Sequence, residues 1–426
     1  YLLSTTVAND FGWIGVLDMA KRLEDTLDSM AQLTRFRGHF LNWYDTQDLR
    51  PLDPAYVSTV DSGNLAGHLI AVAQACRSLV HRPMFGEDVL LGMRDTLALV
   101  LEAAEQGEPS RRTQTVAEPH LREAAAEIAV ALDDVPSSLS EWVLRLDQLQ
   151  VSAETLLDIA RALASETEEG SRSEIVEWSK SLRDCVVSHK RDLEPALLLE
   201  GLPPSEKAET TLGHHLAALA LRAEAMMQAM DFRFLFDSSR KLFSIGYRVT
   251  EGELDPSYYD LLASESRLAS FVAIAKGDVA PQHWFLLGRS LTPVGRGAAL
   301  VSWSGSMFEY LMPLLVMREP SKSLLDLTSR LVVARQIQYG VERAVPWGVS
   351  ESAHNIRDVE FTYQYSDFGV PGLGLRRGLF EDIVVAPYAT ALASMLEPRL
   401  ALDNFAILEE AGARGDYGFY EALDYT

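Results

Sequence analysis

The stretch GWIGVLDMAKRLEDTLDSMAQL, residues 12–33, decides the fold class of this chain. Its apolar side chains recur every three or four positions, at Trp13, Val16, Leu17, Ala20, Leu23, Leu27 and Met30. Because an α-helix completes a turn in about 3.6 residues, this spacing places them along one face. We therefore expect an amphipathic helix here, with its apolar face packed in a core.

The same periodicity recurs further along the chain, near residues 65–79, 142–164 and 210–230. Alternation typical of strands is scarce, and residues 298–303 and 359–365 are the best short candidates. The sequence therefore predicts an all-α fold with a few short strands in its loops. Alternating helices and loops over 426 residues fit an α/α barrel, although periodicity does not count its helices.

We predict a single catalytic domain over residues 1–426. Within it, residues 85–205 differ in composition, because they are acidic and contain few aromatic residues. We interpret this stretch as exposed helical hairpins that form an excursion from the core of the domain.

The charge balance excludes some partners. The chain has 61 acidic against 38 basic residues and a formal net charge of −23, which repels nucleic acid and anionic lipid headgroups but not a neutral glucan. No apolar run approaches the roughly 18–20 residues that cross a bilayer. Cys76 and Cys185 form neither a metal-binding spacing nor a disulfide framework. Since the chain starts at Tyr1 instead of Met, we expect a fragment of a longer protein.

Glu265 is the first candidate for chemistry. Asp255 and Pro256 resemble the cap and first turn of a helix, on which Glu265 would share an apolar stripe with Leu261 and Leu268. Desolvation on such a stripe raises a carboxyl pKa, as a general acid working near neutrality requires. The alternative is a buried structural glutamate paired with an arginine.

Glu351 is the second candidate, within the loop PWGVSESAHN at residues 346–355. Trp347 offers a flat apolar surface beside it, as sugar-binding loops often do. The alternative is a solvated loop glutamate. Ser350 resembles the nucleophile of a GxSxG turn, but Ser352 stands where the last glycine belongs, so a serine hydrolase is disfavoured.

Other residues suit contact with a sugar. Glu309, in SWSGSMFEY at residues 302–310, is interpreted as a substrate contact, with catalysis or helix capping as alternatives. Aromatic residues that suit stacking on sugar rings, or half-burial, are Tyr363, Tyr365, Tyr388, Tyr417, Phe419 and Tyr420.

Cofactor motifs are weak, and we expect neither a metal nor another cofactor. His214 and His215 are adjacent in a predicted helix and point about 100° apart, which disfavours joint ligation. Gly372 and Gly374 lack the preceding strand of a dinucleotide fingerprint.

Several blocks, in order, resemble one known family: the central cyclization domain of bacterial cyclic β-1,2-glucan synthases, formerly described as glucoamylase-like. These blocks are residues 42–45, 57–65, 258–278, 283–289, 302–313, 346–355 and 417–424. The resemblance is dense from residue 247 onward, thinner over residues 1–79 and faint in the acidic middle.

The resemblance implies an (α/α)6 barrel that cyclises linear β-1,2-glucan through a glucosyl–enzyme intermediate. It implies Glu265 as general acid/base and Glu351 as nucleophile. The substrate contacts that we predict are Asp61, Asn64, Arg267, Trp303, Glu309, Tyr310, Trp347, Asn355, Tyr363, Tyr365, Tyr388, Tyr420 and Glu421.

The family also implies a setting. Its full-length members are inner-membrane proteins in which a separate glycosyltransferase domain makes the linear glucan. We therefore expect that domain and membrane segments as partners, and a position at the cytoplasmic face of the bacterial inner membrane. Two other functions stay open: an endo-β-1,2-glucanase on the same scaffold, and a non-catalytic module that holds glucan.

Overall fold

The computed structural model describes residues 1–106, 114–165, 171–379, 381–415 and 417–426. This part of the chain is mainly helical, which confirms the predicted class. The helices are α1 (Leu2–Asp10), α2 (Val16–Gln32), α3 (Thr59–Leu79), α4 (Glu87–Gln106), α5 (Gln114–Ala131), α6 (Leu139–Ser165), α7 (Ser171–Arg191), α8 (Leu193–Leu199), α9 (Pro204–Lys207), α10 (Thr211–Ala229), α11 (Arg267–Lys276), α12 (Gln282–Leu286), α13 (Met307–Leu311), α14 (Leu324–Arg343), α15 (Pro387–Ala393) and α16 (Pro398–Glu410).

The strands are short and pair antiparallel in small sheets. They are β1 (Arg35–Phe36), β2 (His39–Phe40), β3 (Tyr56–Ser58), β4 (Phe236–Asp237), β5 (Leu242–Ser244), β6 (Gly246–Arg248), β7 (Glu253–Leu254), β8 (Tyr258–Tyr259), β9 (Leu291–Val294), β10 (Gly297–Leu300), β11 (Ser352–Arg357), β12 (Tyr363–Ser366), β13 (Val384–Val385), β14 (Arg414–Gly415), β15 (Gly418–Phe419) and β16 (Leu423–Asp424). The two predicted strand candidates overlap β10 and β12.

Helix α2 shows how local sequence sets an element. It begins at Val16 because the Asp192 carboxylate accepts hydrogen bonds from the free amides of Val16, at 2.6 Å, and Leu17, at 3.0 Å. Gly12, with φ of +72°, precedes this start and lies so close to Asp88 that a side chain would clash. The helix predicted around residues 12–33 is therefore confirmed, with a later beginning.

The chain divides into two compact units, the first of which contains residues 1–32 and 69–225. Its core is built from leucine-rich faces of α4, α5, α6 and α7, which pack against one another and bury Trp142. The stretch 85–205 belongs to this unit, and its residues 107–113 and 166–170 lie outside the described part.

The second unit contains residues 33–68 and 226–426. All the strands given above belong to it, and its core surrounds Tyr310, Tyr339 and Trp347. The single domain over residues 1–426 and the barrel arrangement of its helices stay predictions. Among the helices of the described residues, none combines the length and apolar character needed to cross a bilayer.

Candidate active site

A cavity of about 530 Å³ in the second unit brings together Glu265, Glu309 and Glu351. The other residues along its wall are Arg240, Leu242, Ile245, Ser257, Tyr258, Tyr259, Asp260, Ser264, Trp303, Ser304 and Asp367. Glu265 and Glu351, which are 351 − 265 = 86 positions apart, thus border one space. A wall that combines carboxylates, hydroxyls, aromatic rings and one guanidinium suits a neutral polyhydroxyl ligand.

The local structure before Glu265 differs from the predicted helix. Tyr258 and Tyr259 form β8 and pair with β5, while Leu261 makes an isolated bridge to Gly288. The carboxylate of Asp255 accepts from the Ser257 amide in a tight turn. The helix therefore begins only at Arg267, and Glu265 lies in the turn before it. These long-range pairings override the local helical pattern.

Burial makes Glu265 a weak acid. The loss of hydration raises its pKa to about 8, and the negative charges of Glu309 and Glu351 add to the rise. Ser264 Oγ donates to Glu265 Oε2 at 3.3 Å, which offsets little of this effect. At neutral pH Glu265 therefore keeps a proton that it can donate.

Glu351 lies where the loop after α14 enters β11. Tyr388 fixes this point, since its hydroxyl lies 2.8 Å from both Ser350 Oγ and the Glu351 carbonyl oxygen. Burial raises the pKa of Glu351 to about 7, with the charges of Asp367 and Glu309 adding to the rise and a hydrogen bond with Tyr365 opposing it.

The Ser350 side chain is occupied by hydrogen bonds within the protein. Its Oγ accepts from the Phe308 amide at 3.1 Å and from the Tyr388 hydroxyl, and the residue is fully buried. This arrangement fits the prediction against a serine nucleophile.

Glu309 fits the capping alternative. Its carboxylate accepts from the backbone amides of Trp303, Ser304, Gly305 and Ser306 at 2.9–3.2 Å, and from the hydroxyls of Ser302 at 2.8 Å and Ser304 at 2.6 Å. Ser306 completes a capping box at the start of α13. The carboxylate thus organises the 302–306 loop and presents negative charge to the cavity.

Three predicted substrate contacts are buried in the structure and contact protein groups. Arg267 is 1% exposed; its guanidinium donates to the carbonyls of Ser264, Glu309 and Tyr310 and pairs with Glu319 at 3.0 Å. The Tyr310 hydroxyl donates to main-chain carbonyls. Trp347 packs in the core of the second unit. None of the three lines the cavity of Glu265 and Glu351.

The other predicted contacts lie at different distances from the cavity. Trp303, 44% exposed, lines it, and Tyr365 and Tyr388 contact Glu351 as described. Glu421 accepts from the Ala353 amide, beside β11. Asn355, Tyr363 and Tyr420 are exposed residues that do not line the cavity wall, and Tyr363 stacks with Arg357.

Asp61 and Asn64 lie in the first turns of α3. Asp61 is exposed and lines a separate pocket, whereas the Asn64 side-chain oxygen is buried without a hydrogen-bond partner. Neither residue lines the cavity of Glu265 and Glu351.

Sequence reasoning missed several residues of the cavity wall. Arg240 lies over the ring of Tyr258, 4.6 Å from its centroid, and the Tyr258 hydroxyl donates to Asp237 at 2.9 Å. Tyr259 and Asp260 follow directly in the chain. The acidic and aromatic content of this segment was visible, but its inclusion in a predicted helix concealed that it faces a cavity.

No group of three or more His, Cys, Asp or Glu side chains is arranged to hold a metal ion in the part of the chain that the structure describes. The polar groups of the wall are carboxylates, hydroxyls and the Arg240 guanidinium, and aromatic rings lie beside them. This set can supply and accept protons and can attack an electrophilic carbon.

Comparisons with known proteins show what this chain is similar to. The family model described as "Putative glucoamylase" matches residues 257–426, which include Glu265 and Glu351. The whole chain is 44% identical to part of the cyclic beta-(1,2)-glucan synthase NdvB of Rhizobium meliloti (strain 1021) and spans 15% of that protein's length. A crystal structure of a "putative glucoamylase" from Bacteroides caccae aligns with the whole of this chain and with 75% of its own chain, at 11% identity and a TM-score of 0.50. At this identity the similarity concerns the fold alone.

Proposed function

Because the predicted resemblance to a segment of the cyclic β-1,2-glucan synthases is confirmed, we propose that this chain cyclises linear β-1,2-glucan by transglucosylation. The observation that carries the proposal is the meeting of Glu265 and Glu351 at one cavity, both with raised pKa values. Glycosidases use such carboxyl pairs at glucosidic bonds.

The first step breaks a glucosidic bond. Glu265, with the higher pKa, donates its proton to the oxygen of the leaving glucosyl unit. A carboxylate oxygen of Glu351 attacks the anomeric carbon, so that the C1–O bond breaks and a glucosyl ester forms. Since the pKa of Glu351 is about 7 and that of Glu265 about 8, the single proton that both share near neutrality resides mainly on Glu265.

The second step re-forms the bond. The ionised Glu265 takes the proton from a hydroxyl at the non-reducing end of the same glucan, and that oxygen displaces Glu351 from the anomeric carbon. The bonds broken and formed are both β-1,2 linkages, so the exchange is nearly isoenergetic and kinetics decide between ring closure and attack by water. Holding the acceptor unit in place favours ring closure.

We further propose that the chain adopts the (α/α)6 barrel of its family and acts beside the other domains of a longer synthase. The 15% coverage of the Rhizobium meliloti protein supports a role as one segment among several. The position at the cytoplasmic face of the inner membrane is part of the same proposal.

The test is product analysis by mass spectrometry after incubation with linear β-1,2-glucan. We expect rings without a rise in reducing ends, and a rate of ring formation roughly a thousandfold lower for Glu265→Gln or Glu351→Gln. A rise in reducing ends would indicate an endo-β-1,2-glucanase instead. Equal products from all three proteins would contradict the assignment of the two glutamates.

A further inference from the structure

A second pocket of the same unit, of about 320 Å³, takes no part in the chemistry described above. Its wall is formed by Phe40, Leu41, Asn42, Trp43, Asp61, Ser62, Leu65 and Met230. We call it the Trp43 pocket. Its volume lies at the lower end of the range for small-ligand sites.

The polar and aromatic groups of the Trp43 pocket suit a sugar. Trp43 is 66% exposed and offers an indole face, while Asp61 and Asn42 are exposed and present a carboxylate and an amide. An aromatic face stacks on the apolar C–H side of a pyranose, and side-chain oxygens accept its hydroxyl protons. No Lys or Arg lines the pocket, and the Asp61 carboxylate repels anions, so a neutral polyhydroxyl ligand fits best.

The loop that carries Trp43 is held in place by its own hydrogen bonds. The Trp43 carbonyl accepts from the Leu52 amide at 3.0 Å, and the Asn42 amide donates to the Tyr56 carbonyl at 3.0 Å. The Tyr44 hydroxyl accepts from the Leu41 amide at 2.8 Å and donates to the Thr34 carbonyl at 2.7 Å. The indole is therefore presented on a preformed loop, which lowers the entropic cost of binding.

The other side of the pocket is fixed to the wall of the catalytic cavity. Thr59, two residues before Asp61, donates from its amide to the Ile245 carbonyl at 3.0 Å and from its hydroxyl to the Ser244 carbonyl at 2.7 Å. Ile245 lines the cavity of Glu265 and Glu351. Gly63 packs so closely on Ala269 of α11 that a side chain would clash.

Electrostatics agree with this proximity. The pKa of Tyr259, in the catalytic cavity, is raised mainly by burial, and the charges of Glu265 and Asp61 both add to the rise. The pKa of Tyr259 therefore responds to a carboxylate of the catalytic cavity and to one of the Trp43 pocket.

We infer that the Trp43 pocket is a second glucan-binding subsite, which holds a glucosyl unit several linkages away from the bond that is cleaved. The inference rests on the proposed function for the identity of the ligand. A glucan long enough to reach both sites binds with an added contact, so this pocket selects substrates by chain length.

The test is isothermal titration calorimetry with linear β-1,2-gluco-oligosaccharides, one short and one long, against the chain carrying Glu265→Gln to prevent turnover. We expect the long chain to bind more tightly than the short one. Adding Trp43→Ala is expected to weaken binding of the long chain about tenfold, the equivalent of about 1.4 kcal/mol, and to remove the preference for length. Phe285→Ala, at a more exposed aromatic residue outside the pocket, is the matched control and keeps the preference.

Asp61→Asn is a second variant that preserves shape, and it is expected to weaken binding of the long chain severalfold. An unchanged preference for length in both pocket variants would overturn the inference, as would an equal loss in Phe285→Ala. A lower unfolding temperature for Trp43→Ala with unchanged affinity would also overturn it, because the indole would then support only the fold. Ring closure by the Glu265→Gln chain at a near-wild-type rate would contradict the proposed function instead.

Discussion

Two glutamates that border the same cavity, Glu265 and Glu309, occupy opposite environments. The Glu309 carboxylate accepts hydrogen bonds from four backbone amides and two hydroxyls of the 302–306 loop. Glu265 is half-buried and receives only a long hydrogen bond from Ser264, and its pKa rises to about 8. A carboxylate whose lone pairs are occupied builds the site, whereas one that is desolvated without compensation is ready for proton transfer.

The largest expected effect is on turnover, when either catalytic glutamate is replaced. Glu265→Gln and Glu351→Gln each remove a proton donor or nucleophile, and we expect each to lower the rate of ring formation by roughly a thousandfold. The rate is measured by mass spectrometry of products, with unfolding temperatures as the control for folding. Near-wild-type rates in either variant would refute the assignment.

The second effect is on stability, and it has opposite signs at the two glutamates. In Glu309→Gln the side-chain NH2 group faces backbone N–H groups that need an acceptor. We therefore expect a loss of about 3 kcal/mol in the free energy of unfolding. Glu265 has a folded pKa of about 8 against an ordinary value of 4.5. As pH rises between these values the wild type loses stability, because this carboxyl ionises in the unfolded chain while it stays protonated in the folded one. Glutamine does not titrate, and Glu265→Gln should therefore gain stability over the wild type across that interval.

Thermal unfolding followed by circular dichroism between about pH 5 and about pH 8 measures both changes. The wild type serves as the reference at each pH. If Glu265→Gln is destabilised as much as Glu309→Gln, the distinction between a reactive and a structural carboxylate is wrong.

A smaller effect is expected at Arg240, which faces the cavity from its position over Tyr258. Arg240→Gln should raise KM roughly fivefold with little change in kcat, because a charged donor to sugar hydroxyls is lost. Arg240 pairs with Asp237 at 3.9 Å, and Arg233 pairs in the same way with Asp231 at 2.7 Å but lies outside the cavity wall, so Arg233→Gln is the matched control. Equal KM changes in both variants would argue against a role in substrate contact.

The smallest effect is a shift in pH dependence. Activity requires ionised Glu351 and protonated Glu265, so the rate falls below about pH 7 and above about pH 8. The negative charge of Asp367 raises the pKa of Glu351, so Asp367→Asn lowers that pKa and moves the acid limb to lower pH. We expect a roughly twofold to threefold gain in rate on the acid side, measured as kcat/KM against pH.

Glu360→Gln is the control for this shift, because Glu360 is an exposed residue in the turn between β11 and β12 and is not among the groups that perturb Glu351. An acid limb that stays in place in Asp367→Asn would show that Glu351 does not control it.

Local periodicity was sufficient to predict α2, α3, α6 and α10, because an amphipathic stripe is encoded within a few turns. The segment from Asp255 to Glu265 was mispredicted because its partners are remote: β8 pairs with β5, and Leu261 bridges to Gly288. A pattern within one segment carries no information on such pairings.

Side-chain orientation was the other limit. The two glutamates line one cavity, while their assignment as catalytic residues stays a prediction. Arg267 and Trp347 are residue types that often contact sugars. Arg267 nevertheless donates to Glu319, 52 positions away, and Trp347 packs in the core. Residue type alone does not determine whether a side chain faces a cavity or the interior.

The most direct test of the central claim is to trap the glucosyl ester. The Glu265→Gln chain is incubated with a β-1,2-gluco-oligosaccharide activated as its fluoride, which leaves without acid assistance, and its peptides are mapped by mass spectrometry. Slow second-step turnover should leave the sugar on the peptide that contains Glu351. An adduct on another residue, or none while fluoride is still released, would contradict the account.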